Sequence, residues 1–181
     1  LVKFFDKFGM EIFDIQERDI HGGSIRVFVC KKGTHKVSKI VGTLIKKEMK
    51  YNLYSTKKLE KFAKKVELNR KELVLLLSDL KRKGKKIAAV SAPAKGMTLL
   101  NYCHLGSQYL DFITEKSELK VGRFSPGLHL PIMRDTDLVK YKVDYALLLA
   151  WNFADEIIKN LSDFRNRGGK FIIPIPTPKI I

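Results

Sequence analysis

The sequence predicts an α/β protein whose second half is a parallel sheet with crossover helices. Three observations carry this. Short apolar runs recur at Ile87–Val90, 109–114, 143–149 and 171–175. Segments with helical patterning lie between them, at 97–105, 135–141 and 155–167. Small residues, glycine or proline punctuate the joins. Buried strands alternating with helices imply parallel strands joined by right-handed crossovers.

The elements follow in order. Leu1, Phe4, Phe5 and Phe8 fall at helical spacing, and Gly9 is a helix stop. Ile12 and Ile15 next to Glu11 and Asp14, then Ile25, Val27 and Val29, read as two strands joined through His21-Gly22-Gly23-Ser24. This helix–strand–strand segment has little core of its own. Residues 31–39 are polar and basic and read as a linker. From Leu59 a helical pattern runs through Phe62, Ala63, Val66, Leu73, Leu76, Leu77 and Leu80 to a stop at Lys83-Gly84, with a bend expected at Asn69. The parallel sheet follows, and its last helix stops at Gly168-Gly169.

Composition bounds the function. The 181 residues, 45% of them hydrophobic, suffice for one domain of ordinary size with a real core. No apolar run reaches the length of a membrane span, so no membrane partner is expected. The chain opens on Leu1 rather than Met, which fits a piece of something longer. Cys30 and Cys103 lack zinc-ligand spacing and read as free thiols of a reducing, cytoplasmic setting. Lys and Arg number 35 against 19 Asp and Glu. Such a balance attracts nucleic acid, anionic membranes or phosphorylated ligands. The lysine clusters are scattered and not interleaved with aromatics, which argues against a nucleic-acid platform.

Ligands of open parallel sheets bind beyond the carboxyl ends of the strands. After the first strand comes Ser91-Ala92-Pro93-Ala94-Lys95-Gly96, a small-residue turn opening a helix. A helix N-terminus offers unpaired N–H groups and positive potential, and Lys95 adds a full charge, a pattern suited to phosphate. An equally simple reading is a plain strand-to-helix turn, because neither GxGxxG nor a P-loop is present. In the segment 122–132, Arg123 can clamp an anion and His129 sits among rigid Pro and Gly positions, or the segment is a packed crossover loop. Trp151 and Asn152 follow the third strand. They can stack on a base and read its edge, or cover the sheet and cap a helix. No Ser/His/Asp spacing, HExxH or working carboxylate pair is present, so no catalytic residue and no metal ligand is assigned.

Several of these segments together resemble one family. The run from Ser91 to Tyr102, SAPAKGMTLLNY, is similar to the APAKGNTLLNY signature of sugar C-methyltransferases. Gly122-Arg123 through Pro126-Gly127 to His129-Leu130-Pro131-Ile132 resembles their GRY-x-PGTHIPI segment. Leu149-Ala150-Trp151-Asn152 resembles LPWN, and Gly168 to Pro176 resembles GGKFIVPIP. Departures are Val90-Ser91 in place of a Gly-rich strand end, Met97 for Asn, Leu128 for Thr and Ala150 for Pro. They are expected to bear on which sugar or nucleotide is accepted.

The resemblance implies three regions: residues 1–32 as the last helix and strand pair of a methyltransferase core, 33–83 as linker and helical connector, and 84–181 as a C-terminal Rossmann-like domain. It implies S-adenosylmethionine as cofactor and zinc in an N-terminal module. The loop for the former, the zinc cysteines and the family's Tyr and Glu-His catalytic segment are all expected upstream of Leu1. The expected function is the C-terminal part of an S-adenosylmethionine-dependent C-methyltransferase acting on a nucleotide-linked keto-sugar. Its partners are that sugar nucleotide and the methyltransferase domain. The substrate contacts implied are Ser91, Ala92, Ala94, Lys95, Gly96, Asn101, Arg123, His129, Trp151 and Asn152. The alternative is a free-standing nucleotide or nucleotide-sugar binding module without catalysis.

Overall fold

The computed structural model describes all of residues 1–181 except His21 and Tyr54. His21, read above as part of a loop, lies outside the described residues. Two compact units divide between Ala63 and Lys64.

In the first unit, α1 (Val2–Asp6) leads into β1 (Met10–Arg18), which pairs antiparallel with β2 (Ser24–Lys31). Ile12 and Ile15 are both buried, although a regular strand places residues three apart on opposite faces. A β-bulge between Ile12 and Asp14 resolves this by adding one residue to the strand. The extra residue, Phe13, stacks on His35 at 4.6 Å. The chain then forms a helix where the sequence reading has none, α2 (Lys39–Lys50). Ile40, Val41, Leu44 and Ile45 supply its apolar face against Ile12, Ile15 and Val27. Gly42 and Thr43 interrupt the hydrophobic signal, and only packing on the hairpin makes the stripe count. The Ser38 hydroxyl donates to Asp14 Oδ1 at 2.7 Å and anchors the helix start.

The helix α3 (Thr56–Arg82) spans the division between the units. It runs unbroken through Asn69, where a bend was expected. Asn69 is buried instead, and its Nδ2 donates to the carbonyls of Pro174 at 2.8 Å and Pro176 at 2.9 Å. Asn69, Leu73, Leu77 and Leu80 form one buried stripe, spaced four, four and three residues apart. Beyond the helix end, Lys85 N–H bonds back to Leu80 O at 3.0 Å.

The second unit holds a six-stranded sheet ordered β5-β4-β3-β6-β7-β8. Its strands are β3 (Ile87–Val90), β4 (Ile113–Thr114), β5 (Ile132–Met133), β6 (Tyr145–Leu148), β7 (Lys170–Ile173) and β8 (Lys179–Ile180). The first five are parallel, and β8 is antiparallel to β7. The α/β fold with a parallel-dominated, Rossmann-like sheet is as the sequence predicts. The helices are α4 (Ala94–Cys103), α5 (Asp137–Lys140), α6 (Ala154–Asn160) and α7 (Ser162–Asn166), with a 3₁₀ turn at Trp151–Phe153.

Every residue of β3 is buried, because both faces are covered. Ile87 and Ala89 face Leu73, Leu77 and Leu100 of α3 and α4. Ala88 and Val90 belong to the opposite layer with Leu138, Leu161 and Phe164 of α5–α7. Pleating sends alternate residues to alternate faces, so an all-apolar strand is what a central position demands.

Details depart from the reading. Of 109–114 only Ile113 and Thr114 pair as strand. Leu110 and Phe112 are buried from irregular backbone, so their apolar character reports the core rather than a strand. The helix expected over 155–167 breaks into α6 and α7 at Leu161, which is itself buried. Among the described residues no helix is long and apolar enough to cross a membrane.

Asn69 ties α3 to the chain after β7 through the carbonyls of Pro174, in a buried bond, and Pro176, in a part-buried one. Asn69→Ala is expected to lower unfolding free energy by about 1–3 kcal/mol, the cost of leaving buried polar groups unsatisfied. Urea denaturation reads this; a loss within error contradicts the role assigned to Asn69.

Candidate functional site

The sheet reverses its order of construction between β3 and β6. From β3 the chain builds outward to β4 and β5, then returns to β6 on the other side. Beyond the carboxyl ends of those two neighbours lies the crevice where open α/β sheets take ligands. The turn at 91–96 and the segment 149–152 flank it.

Two glycines set the local geometry. A Cβ on Gly96 would stand 2.6 Å from Leu149 Cβ and 3.3 Å from Leu149 O, so the start of α4 lies directly on the end of β6. Gly96 is thus a packing position. At its neighbour the ammonium of Lys95 lies 4.6 Å from the Trp151 ring centroid and donates to Asn152 Oδ1. Burial lowers the Lys95 pKa from its ordinary value. Lys95, Trp151 and Asn152, chosen separately along the sequence, therefore form one cluster at the N-terminus of α4.

The second glycine is Gly127, at φ +82°, where a Cβ would come within 2.0 Å of Asn101 Oδ1. Asn101 Nδ2 donates to Met97 O at 2.8 Å and Pro126 O at 3.2 Å, tying α4 to the 122–132 loop. Within that loop the buried Ser125 Oγ accepts from Leu130 N–H at 2.9 Å. Arg123 and His129 are exposed, and neither makes a side-chain hydrogen bond or ion pair among the described residues. The structure does not join them to the Lys95 cluster. Met97 and Leu128 pack with the core layer of α3 and α4, so these departures from the family signature alter packing there.

The turn itself holds a feature absent from the sequence reading. Ser91 adopts φ +69°, the left-handed region, and its N–H bonds Thr114 O at 2.8 Å. Ala92 N–H donates to Glu115 Oε2 at 3.0 Å. Lys120 Nζ bridges Ala92 O at 3.0 Å and Glu115 Oε2 at 3.1 Å. Glu115 Oε1 takes the N–H groups of Lys116 at 2.9 Å and Ser117 at 3.3 Å. A carboxylate of the protein thus already occupies the second amide of the turn, that of Ala92. At the α4 start beside Lys95, Pro93 holds the N-cap position and makes no side-chain cap bond. Ala92 is buried and Ala94 exposed at this end of the helix. Glu115 and Lys120 carry no local sequence signal; a carboxylate directly after β4 is readable only once the strand is placed.

Desolvation opposes ionisation of Glu115, but Ala92 N–H, the Lys120 ammonium and Ser117 N–H outweigh it and hold its pKa below the ordinary 4.5.

The comparisons with known proteins fall on the same segments. The family described as C-methyltransferase C-terminal domain matches residues 19–176. The chain belongs to this family. It is 36% identical, over its whole length, to the C-methyltransferase NovU of Streptomyces niveus, and spans 43% of that protein. The match includes every segment of the crevice just described.

This C-methyltransferase C-terminal domain has a pH signature. A carboxyl whose folded pKa lies below its unfolded value contributes stability above the unfolded pKa, lost as pH falls through the folded one. Between pH 6 and pH 3 the urea midpoint of the wild type is expected to fall further than that of Glu115→Gln. Parallel loss in both would remove Glu115 as the source.

Proposed function

We propose that this chain is the C-terminal part of an S-adenosylmethionine-dependent C-methyltransferase whose substrate is a nucleotide-linked keto-sugar, acting in the cytoplasm. The observation that carries the reading is the placement of Lys95. It stands at the start of α4 beside the switch between β3 and β6, against Trp151 and Asn152. A diphosphate bound here meets helix N–H groups and an ammonium together. Pairing with an anion would also offset the partial loss of hydration of that ammonium.

The turn after β3 does not fit the cofactor. The turn after β3 has Pro93 at the helix cap, and its Ala92 N–H is taken by Glu115. For zinc, no group of three His, Cys, Asp or Glu able to hold a metal occurs among the described residues. We assign this chain substrate positioning and place proton abstraction and methyl transfer on the methyltransferase domain. The C-methyltransferase activity in the name of the Streptomyces protein, joined to the phosphate-suited crevice, supports this division.

In the complete protein, Lys95→Ala is expected to weaken binding of a nucleoside diphosphate roughly ten- to a hundredfold, since hydrogen bonds to charged groups are worth about 1.5–3 kcal/mol. Lys170→Ala, at the start of β7 and so at the opposite end of the sheet, is expected to change little. Calorimetry with uridine and thymidine diphosphates reads both. Equal affinities for wild type and both variants defeat the proposal. The chain of 181 residues alone is expected to show no methyl transfer. An assay with S-adenosylmethionine and a nucleotide-linked keto-sugar tests this, and turnover above background contradicts it.

A further inference from the structure

The turn that leads into α4 is shaped from outside. Ser91 carries a Cβ yet adopts φ +69°, and such a backbone persists only where its surroundings fix it. Those surroundings are one neighbouring segment, the end of β4 and the residues that follow it. Ser91 N–H donates to Thr114 O at 2.8 Å, beside the paired ends of β3 and β4. Ala92 then gives its N–H to Glu115 Oε2 at 3.0 Å, and its carbonyl accepts from Lys120 Nζ at 3.0 Å. Only Pro93 and Ala94 separate Ala92 from Lys95. Pro93 stands at φ −77° with its ring limiting φ, and its carbonyl accepts from Met97 N–H at 3.1 Å. A shift of Ala92 is therefore passed along a stiff link to the helix start.

Glu115 is the centre of this clamp, and both of its oxygens are engaged. Oε2 accepts from Ala92 N–H and, at 3.1 Å, from Lys120 Nζ. Oε1 accepts from the N–H groups of Lys116 and Ser117. Every one of these neighbours is a donor, so an amide in place of the carboxylate would turn its NH2 group onto donors. On the far side of Lys95, Gly96 lies directly on Leu149. The chain is thus pinned at Ala92 and again at Gly96. Lys95, between the two, is the residue whose ammonium meets Trp151 and Asn152.

We propose that Glu115 is a positioning residue for anion binding at this crevice: by clamping Ala92 it sets where α4 begins and so holds Lys95 against Trp151 and Asn152. The inference rests on the reading of Lys95 as a phosphate contact. Glu115 acts through Lys95 and not on the ligand, because its own oxygens are spent on Ala92, Lys116, Ser117 and Lys120. Charge and position predict opposite signs for its removal. On charge alone, a carboxylate near an anion site repels the anion, and taking it away tightens binding. If the carboxylate instead fixes the turn, its loss lets the helix start drift from β6, and binding weakens although a negative charge has gone.

The experiment is a double-mutant cycle on the complete protein, with inorganic pyrophosphate as the probe and calorimetry as the readout. Glu115→Gln is expected to weaken binding about three- to tenfold, part of the loss expected for Lys95→Ala. In the Lys95→Ala background it is expected to add nothing, as residues that act through one another are not additive. Lys120→Met, at the more exposed end of the clamp, is expected to show the same pattern and carries the test if Glu115→Gln does not fold. A second readout is local. Trp151 is the one tryptophan of the chain, and an ammonium against its ring perturbs the emission. The part of the fluorescence that Trp151→Phe removes is expected to move, in Glu115→Gln, toward its value in Lys95→Ala. Unchanged or tighter pyrophosphate binding in Glu115→Gln, with Lys95→Ala still weakened, overturns the inference and leaves the Lys95 reading standing. A loss that persists in full without Lys95 does the same. Equal affinities of wild type and Lys95→Ala overturn both.

Discussion

The close approach of Gly96 to Leu149 is the constraint on which the crevice depends. It seats the start of α4 on the end of β6, with no room for a Cβ between them. That contact brings Lys95 over Trp151 and onto Asn152, residues more than fifty positions away in the chain. A larger residue would lift the helix from the strand and part the cluster. The packing contact and the binding geometry are therefore one arrangement.

Around that contact the polar groups are divided by function. Glu115, Lys120 and the N–H and C=O of Ala92 satisfy one another and hold the turn with Ser91 in the left-handed region. Asn101 performs a similar service for the 122–132 loop. The α4 start beside Lys95 is not drawn into either network.

Lys95 shows how the tertiary setting changes a residue's meaning. In the sequence it is one lysine of many beside a small-residue turn. In the fold it is a partly desolvated ammonium with an aromatic ring against it and an amide oxygen as acceptor. Loss of hydration raises its appetite for an anion, since water competes less for the charge.

Hydrophobic pattern alone determined the α/β class, the central strand at Ile87–Val90, and the long helix ending before Gly84. These depend on local periodicity and on which segments must be buried. Ordered motifs from Ser91 to Pro176 were enough to mark the family, because four matches in sequence order carry more than any one. Three things were decided only in three dimensions. The bulge after Ile12 and the helix α2 exist because a hairpin face must be covered, and local patterning is mute on what covers it. The two-residue strands β4, β5 and β8 are defined by their neighbours' hydrogen bonds, not by their own apolar length. The partners of Glu115 depend on which loops the sheet order brings to one edge. A side chain's chemistry is written in the sequence, but whether its hydrogen bonds are already spent is settled by what folds against it.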